Sequence, residues 1–173
     1  MSFLMFNSRI HDLRSSIMRH QERVAEITRK MMDLQQYSAN IGDGSVSVYD
    51  MMNTPSSMLG RTIGFMQYSH NAALQGAQLN YMQMAPMIQQ QMVNADPQYQ
   101  QAYMNWVQQS LYKQERERIG KMEEKMLNAQ EKELQLEKDK LETLIKMEEQ
   151  ELESAKQARD NGIKDFKPQY TGS

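Results

Sequence analysis

Side chains that could do acid–base or metal chemistry near neutral pH are few: His11, His20 and His70 are the only histidines, and there is no cysteine. A metal or acid–base site needs a second group at a fixed offset, as in two His four apart on one helix face. No histidine has such a companion here. Glu123-Glu124 and Glu148-Glu149 are paired carboxylates, but Lys and Arg surround them, and Glu117–Lys121 and Glu142–Lys146 stand four apart. That is the pattern of a solvated helix face, not of an acid/base dyad. Gly42-Asp43-Gly44 lacks the Lys of a phosphate loop, no Glu closes a calcium loop after Asp43, and there is no Gly-x-Ser-x-Gly turn. The chain therefore reads as non-enzymatic, with no catalytic residue, cofactor or metal ligand.

His20 is the one histidine that falls inside a pattern. Ile10, Leu13, Ile17, His20, Val24, Ile27, Met31 and Leu34 recur at alternating spacings of three and four. This is an a/d seam of about four heptads, narrower than the stripe that a globular helix buries, and it suits one or two partner helices. His20 is then a tolerated polar residue of the seam. The spacing predicts a helix over 8–38, with Asn7 or Ser8 as its cap and Glu26 four residues before Lys30.

The elements that must carry these residues follow from charge and punctuation. Residues 1–38 hold six basic and four acidic side chains, and residues 113–173 hold thirteen and fifteen. Between them, 39–112 carry only Arg61, Asp43, Asp50 and Asp96. The net charge is -2, which leaves no footprint for a phosphate backbone and argues against nucleic acid as a partner. Residues 62–95 contain no charge at all, yet their frequent Gln and Asn rule out a lipid-exposed span. Such a surface can be covered by protein without stranding a charge. The start of the chain lacks a cationic segment and a full apolar stretch, so it does not read as a secretory signal. If the protein leaves the cytoplasm, a route independent of a signal peptide carries it.

Segment 39–54 reads as a Gly/Ser/Asp loop, in which Val46, Val48 and Tyr49 could form a short extended piece. Thr54-Pro55 predicts a helix start, and Pro86 a break near residue 84, so 55–95 reads as a Met/Gln-rich helix with a Pro-broken connection. Gly60 and Gly64 would let another backbone come close. Asp96-Pro97 opens a long C-terminal helix ending near Asn161-Gly162, about 64 residues or roughly 95 Å. Gly120 is its weakest point for a kink. Its seam is thin: Leu134, Leu141, Ile145 and Leu152 are apolar, while Lys138 and Glu148 occupy seam positions. Tyr103 and Trp106 form a candidate aromatic anchor, and residues 163–173 a tail in which Phe166, Pro168 and Tyr170 could dock.

The expected architecture is all-α, an elongated helical hairpin or small bundle with long coiled-coil-like N- and C-terminal helices. The expected function is that of a structural subunit in a homo-oligomeric assembly such as a filament, rod or virion-like structure. A coiled-coil adaptor, scaffolding protein or chaperone for another helical protein is the second reading, because Met-rich surfaces repack around varied clients. Terminal helices around a dissimilar middle resemble the layout of exported bacterial filament subunits, a likeness of plan alone.

Overall fold

The computed structural model of the chain describes residues 3–41 and 44–165. Every regular element among them is helical: α1 Phe3–Ile41, α2 Val48–Met52, α3 Leu59–Met92 and α4 Pro97–Asp165. The protein is all-α, and two compact units divide it. One joins α1 up to Met31 with α4 from Lys132 onward; the other comprises Met32–Glu131.

In the first unit α1 and α4 run antiparallel. Arg9 Nε donates to Glu151 at 2.9 Å, Ser16 Oγ to Glu148 at 2.7 Å, and Arg23 Nε to Glu137 at 2.9 Å, so partners fall in number along α4 as they rise along α1. Ile10, Leu13, Ile17 and Ile27 are buried in this seam. Each such aliphatic side chain contributes about 1.5–3 kcal/mol relative to its exposed state. Leu134, Leu141, Ile145 and Leu152 are half-buried on α4, as are Lys138 and Glu148.

The second unit is a three-helix bundle. Leu34, Tyr37 and Ile41 from α1, Phe65, Ala73, Ala77 and Ile88 from α3, and Val107, Ile119 and Leu127 from α4 form its core. Its α1 and α3 segments both run antiparallel to α4: Tyr37 bonds Glu123 while Ile41 O lies beside Gly120, and Arg61 bonds Glu123 while Asn80 bonds Glu115. The connection between α1 and α3 runs back along the end of α1 and is held by polar ties: Asn40 Nδ2 donates to Asp50 O at 3.2 Å and to Thr54 Oγ1 at 3.0 Å, and Ser57 Oγ donates to Asp33 at 2.5 Å. Small residues line the buried face of α3, with Thr62, Ser69, Ala73 and Ala77 all covered.

Several boundaries differ from the sequence reading. The N-terminal helix begins at Phe3, not near residue 8, and extends to Ile41, because nothing in Phe3–Phe6 breaks it; Asn7 and Ser8 lie inside it instead of capping it. The piece read as extended is α2, closed by a capping box in which Ser47 Oγ accepts from Asp50 N at 3.1 Å and Ser47 N donates to Asp50 Oδ2 at 2.8 Å. Thr54-Pro55 does not start α3, which begins four residues later at Leu59; the Thr54 hydroxyl donates to Asp50 O at 2.7 Å instead.

Pro86 stays within α3, which continues to Met92. It sits on the exposed side, where the carbonyl that loses its partner faces water. α4 passes through Gly120 without a break and includes Gly162 before ending at Asp165. Gly60 and Gly64 have no neighbour within 4 Å of a notional Cβ, so they do not serve close approach within the chain. Gly120 does: a Cβ there would lie 2.8 Å from Gly44 Cα and N. Gly44 has φ +73, and its own Cβ would overlap the Arg116 carbonyl. Phe166, Pro168 and Tyr170 of the tail lie outside the described residues.

Candidate assembly surface

Residues of the predicted N-terminal seam lie in one row but face the chain's own α4. Ile10, Leu13, Ile17, Ile27 and Leu34 are buried, while His20, Val24 and Met31 are half-buried. His20 Nδ1 lies 3.1 Å from Glu148 Oε2, so the polar residue of one seam meets the polar residue of the other. With its proton on Nδ1 the ring donates to the carboxylate. His11 is exposed beside Asp12, with Nδ1 3.9 Å from Oδ1, and His70 Nδ1 is 2.8 Å from the Tyr112 hydroxyl. Among the described residues no three His, Asp or Glu side chains gather as a metal-holding group, and no helix is long and apolar enough to cross a membrane.

A buried polar cluster fixes α3 against α1 and α4. The Glu123 carboxylate accepts from the Tyr37 hydroxyl at 3.2 Å and from Arg61 Nε at 2.8 Å. Arg61 Nη1 donates to Gln130 at 2.9 Å, and its guanidinium stands over the Tyr37 ring at 5.3 Å. Burial, reinforced by the adjoining Glu123 charge, pushes the Tyr37 phenol well above its ordinary value, so it remains a neutral donor. Arg61 is the only Lys or Arg in 39–112, and this internal pairing neutralises it while its side chain stays 30% exposed. Sequence reading missed the cluster; its one signal was a solitary Arg in a charge-poor segment.

A second buried carboxylate supports the same packing. Glu115 is 7% exposed; its Oε1 accepts from Asn80 Nδ2 at 2.9 Å. Its Oε2 lies 2.7 Å from Arg118 Nη2, an ion pair without hydrogen-bond alignment. A Cβ on Gly76 would stand 2.9 Å from that Oε2, so glycine makes room for the carboxylate between α3 and α4.

These buried pairs leave α3 with large apolar side chains and no charge on its outer side. Tyr68 is 63% exposed, Leu79 62% and Met82 69%, and the C-cap Val93 74%. Across the turn, α4 adds an aromatic row: Tyr99 and Tyr103 stack at 6.4 Å, and Trp106 lies 5.7 Å from Tyr103. Tyr103 is half-buried, whereas Trp106, predicted as an anchor, remains 61% exposed. Chemically the surface offers apolar area, aromatic faces and side-chain amides, which can exclude water and hydrogen-bond but cannot transfer a proton at neutral pH. Aromatic and Met side chains are the types enriched in protein–protein interfaces. Comparisons with protein-family models, curated proteins and solved structures give no match for this chain.

Proposed function

We propose that this protein is a non-enzymatic structural subunit that assembles with copies of itself. The observation that carries the reading is the uncharged surface of α3 and its C-cap, where Tyr68, Leu79, Met82 and Val93 are each more than half exposed. Water-facing apolar groups of this size are costly to leave uncovered, and Gln and Asn around them are both donors and acceptors. Two copies of such a surface meet without placing like charges opposite one another. Because α1 pairs with α4 within the chain, the reading rests on the exposed surface of the second unit instead of on the long terminal helices expected from sequence.

The test is molar mass by light scattering over a range of concentrations, followed by negative-stain microscopy of the high-mass fraction. Mass rising with concentration to regular particles or filaments supports the reading. A monomer at every concentration overturns it.

Exposure of Met82, Met84 and Met87 favours a second reading, an adaptor or chaperone whose flexible thioethers repack on a client helix. A monomer or small dimer that binds amphipathic helices with little sequence preference would support that reading.

A further inference from the structure

Tyr68, Gln75, Leu79, Met82, Pro86 and Val93 are all exposed, and they follow one another at intervals of seven, four, three, four and seven residues. That is a second heptad seam on α3, completed by its C-cap Val93, whose φ of -52° and ψ of -35° continue the helical course, roughly half a turn away from the stripe of Thr62, Ser69, Ala73 and Ala77 that packs inward. In heptad terms Leu79, Pro86 and Val93 occupy a positions, and Tyr68, Gln75 and Met82 occupy d positions. A seam of this period is complementary to another α-helix.

Resting on the homomeric reading above, we infer that the outer seam of α3 pairs with the same seam of a second copy, antiparallel about a two-fold axis between Leu79 and Met82. Antiparallel coiled coils stack each a residue on a d residue of the partner helix. Here one axis sets four pairs: Leu79 meets Met82 of the other copy, Gln75 meets Pro86, Ala72 meets Gln89, and Tyr68 meets Val93. Apolar residues fall opposite apolar residues at the centre and at both ends. A parallel pairing would instead set Pro86 on Pro86 and Gln75 on Gln75.

The second copy is favoured over a foreign helix by charge. Residues 62–95 hold no Asp, Glu, Lys or Arg, so the flanks of the seam offer nothing to neutralise a charged partner, whose own groups would be desolvated without compensation. Those flanks are largely amide and hydroxyl side chains, which pair with themselves. An isologous contact also needs a patch that is its own complement, and the symmetry of the seam about its midpoint meets that condition.

The absence of cysteine allows a direct test with Tyr68→Cys and Val93→Cys, each made singly in the full chain. Oxidised together, the two variants should give a mixed disulfide dimer in at least tenfold higher yield than either alone. Leu79→Glu should weaken self-association at least 100-fold while leaving helix content unchanged by circular dichroism. Strong self-crosslinking of each single variant would mean a parallel pairing and overturn the inference. So would a wild-type protein that assembles by light scattering while the mixed Tyr68→Cys and Val93→Cys variants, still assembling, give no mixed disulfide, which leaves the homomeric reading standing. A wild-type protein that is monomeric throughout overturns both.

Discussion

His20 Nδ1 lies 3.1 Å from Glu148 Oε2, joining helices across 128 residues of sequence at a point where both seams depart from apolar character. Ser16 Oγ donates to the other oxygen of the same carboxylate. A part-buried polar pair of this kind fixes register because sliding either helix strands the carboxylate, while contributing little net stability.

Replacing both members, His20→Leu with Glu148→Leu, should therefore leave stability unchanged or raise it by about 1 kcal/mol. Glu148→Leu alone keeps His20 without its acceptor and should be the less stable of the two. Urea unfolding of the single and double variants measures the order; a double variant less stable than either single one would contradict the register role.

Arg61 and Tyr37 both serve the Glu123 carboxylate but should not be equally sensitive. Tyr37→Phe removes one hydrogen bond and should cost about 1 kcal/mol. Arg61→Met leaves a buried carboxylate without its cation and should cost about 3–5 kcal/mol, most of it recovered in Arg61→Met with Glu123→Met. Chemical denaturation of the wild type, Arg61→Met, Glu123→Met and the double variant forms a double-mutant cycle for the ion pair, with Tyr37→Phe measured beside it.

Tyr37 also predicts an alkaline dependence of stability. Its folded value is raised, so the unfolded chain loses the phenolic proton first, once pH passes the ordinary tyrosine value of 10.0. The stabilisation from Tyr37 is complete below that pH and is lost as pH climbs toward the folded value. Thermal midpoints between pH 9 and 11 should fall less steeply for Tyr37→Phe than for the wild type; parallel slopes would refute the shift.

Glycine substitutions in α4 should separate close approach from helix propensity. Gly162 has nothing within 4 Å of a notional Cβ, so Gly162→Ala should stabilise by up to about 1 kcal/mol. Gly120→Ala pushes a methyl against Gly44 backbone atoms at 2.8 Å and should destabilise by about 1–3 kcal/mol despite the same gain in propensity. Midpoints of thermal unfolding that move in opposite directions would bear this out.

Trp106 is the sole tryptophan and is 61% exposed, so its emission reports directly on whether the α4 aromatic row becomes covered. If assembly covers it, emission should shift to the blue and acrylamide quenching should fall as concentration rises. Trp106→Ala should change fold stability by less than about 1 kcal/mol and weaken association tenfold or more, the behaviour of an interface hot spot. Unchanged association would remove the aromatic row from the contact.

All-α character was legible from the chain alone, because heptad spacing, charge distribution and helix punctuation are local properties that need no knowledge of what packs where. Ile10, Leu13, Ile17, Ile27 and Leu34 were identifiable as a buried row from their period, and the uncharged stretch 62–95 from composition. The outer seam of α3 was present in the same letters. It went unseen because Tyr68, Leu79 and Met82 are interleaved with the inward stripe, and only knowledge of which face is covered separates the two.

Tertiary structure decided the rest. It gave the α1 seam an intramolecular, antiparallel partner, turned Arg61 inward onto Glu123, kept Pro86 within α3 on its exposed side, and assigned Gly44 and Gly120 to a backbone contact. Each outcome depends on contacts between segments remote in sequence or on which helix face is buried. A heptad repeat encodes that a helix needs a partner, while the identity and direction of that partner are set only when the competing faces of all the helices are covered together.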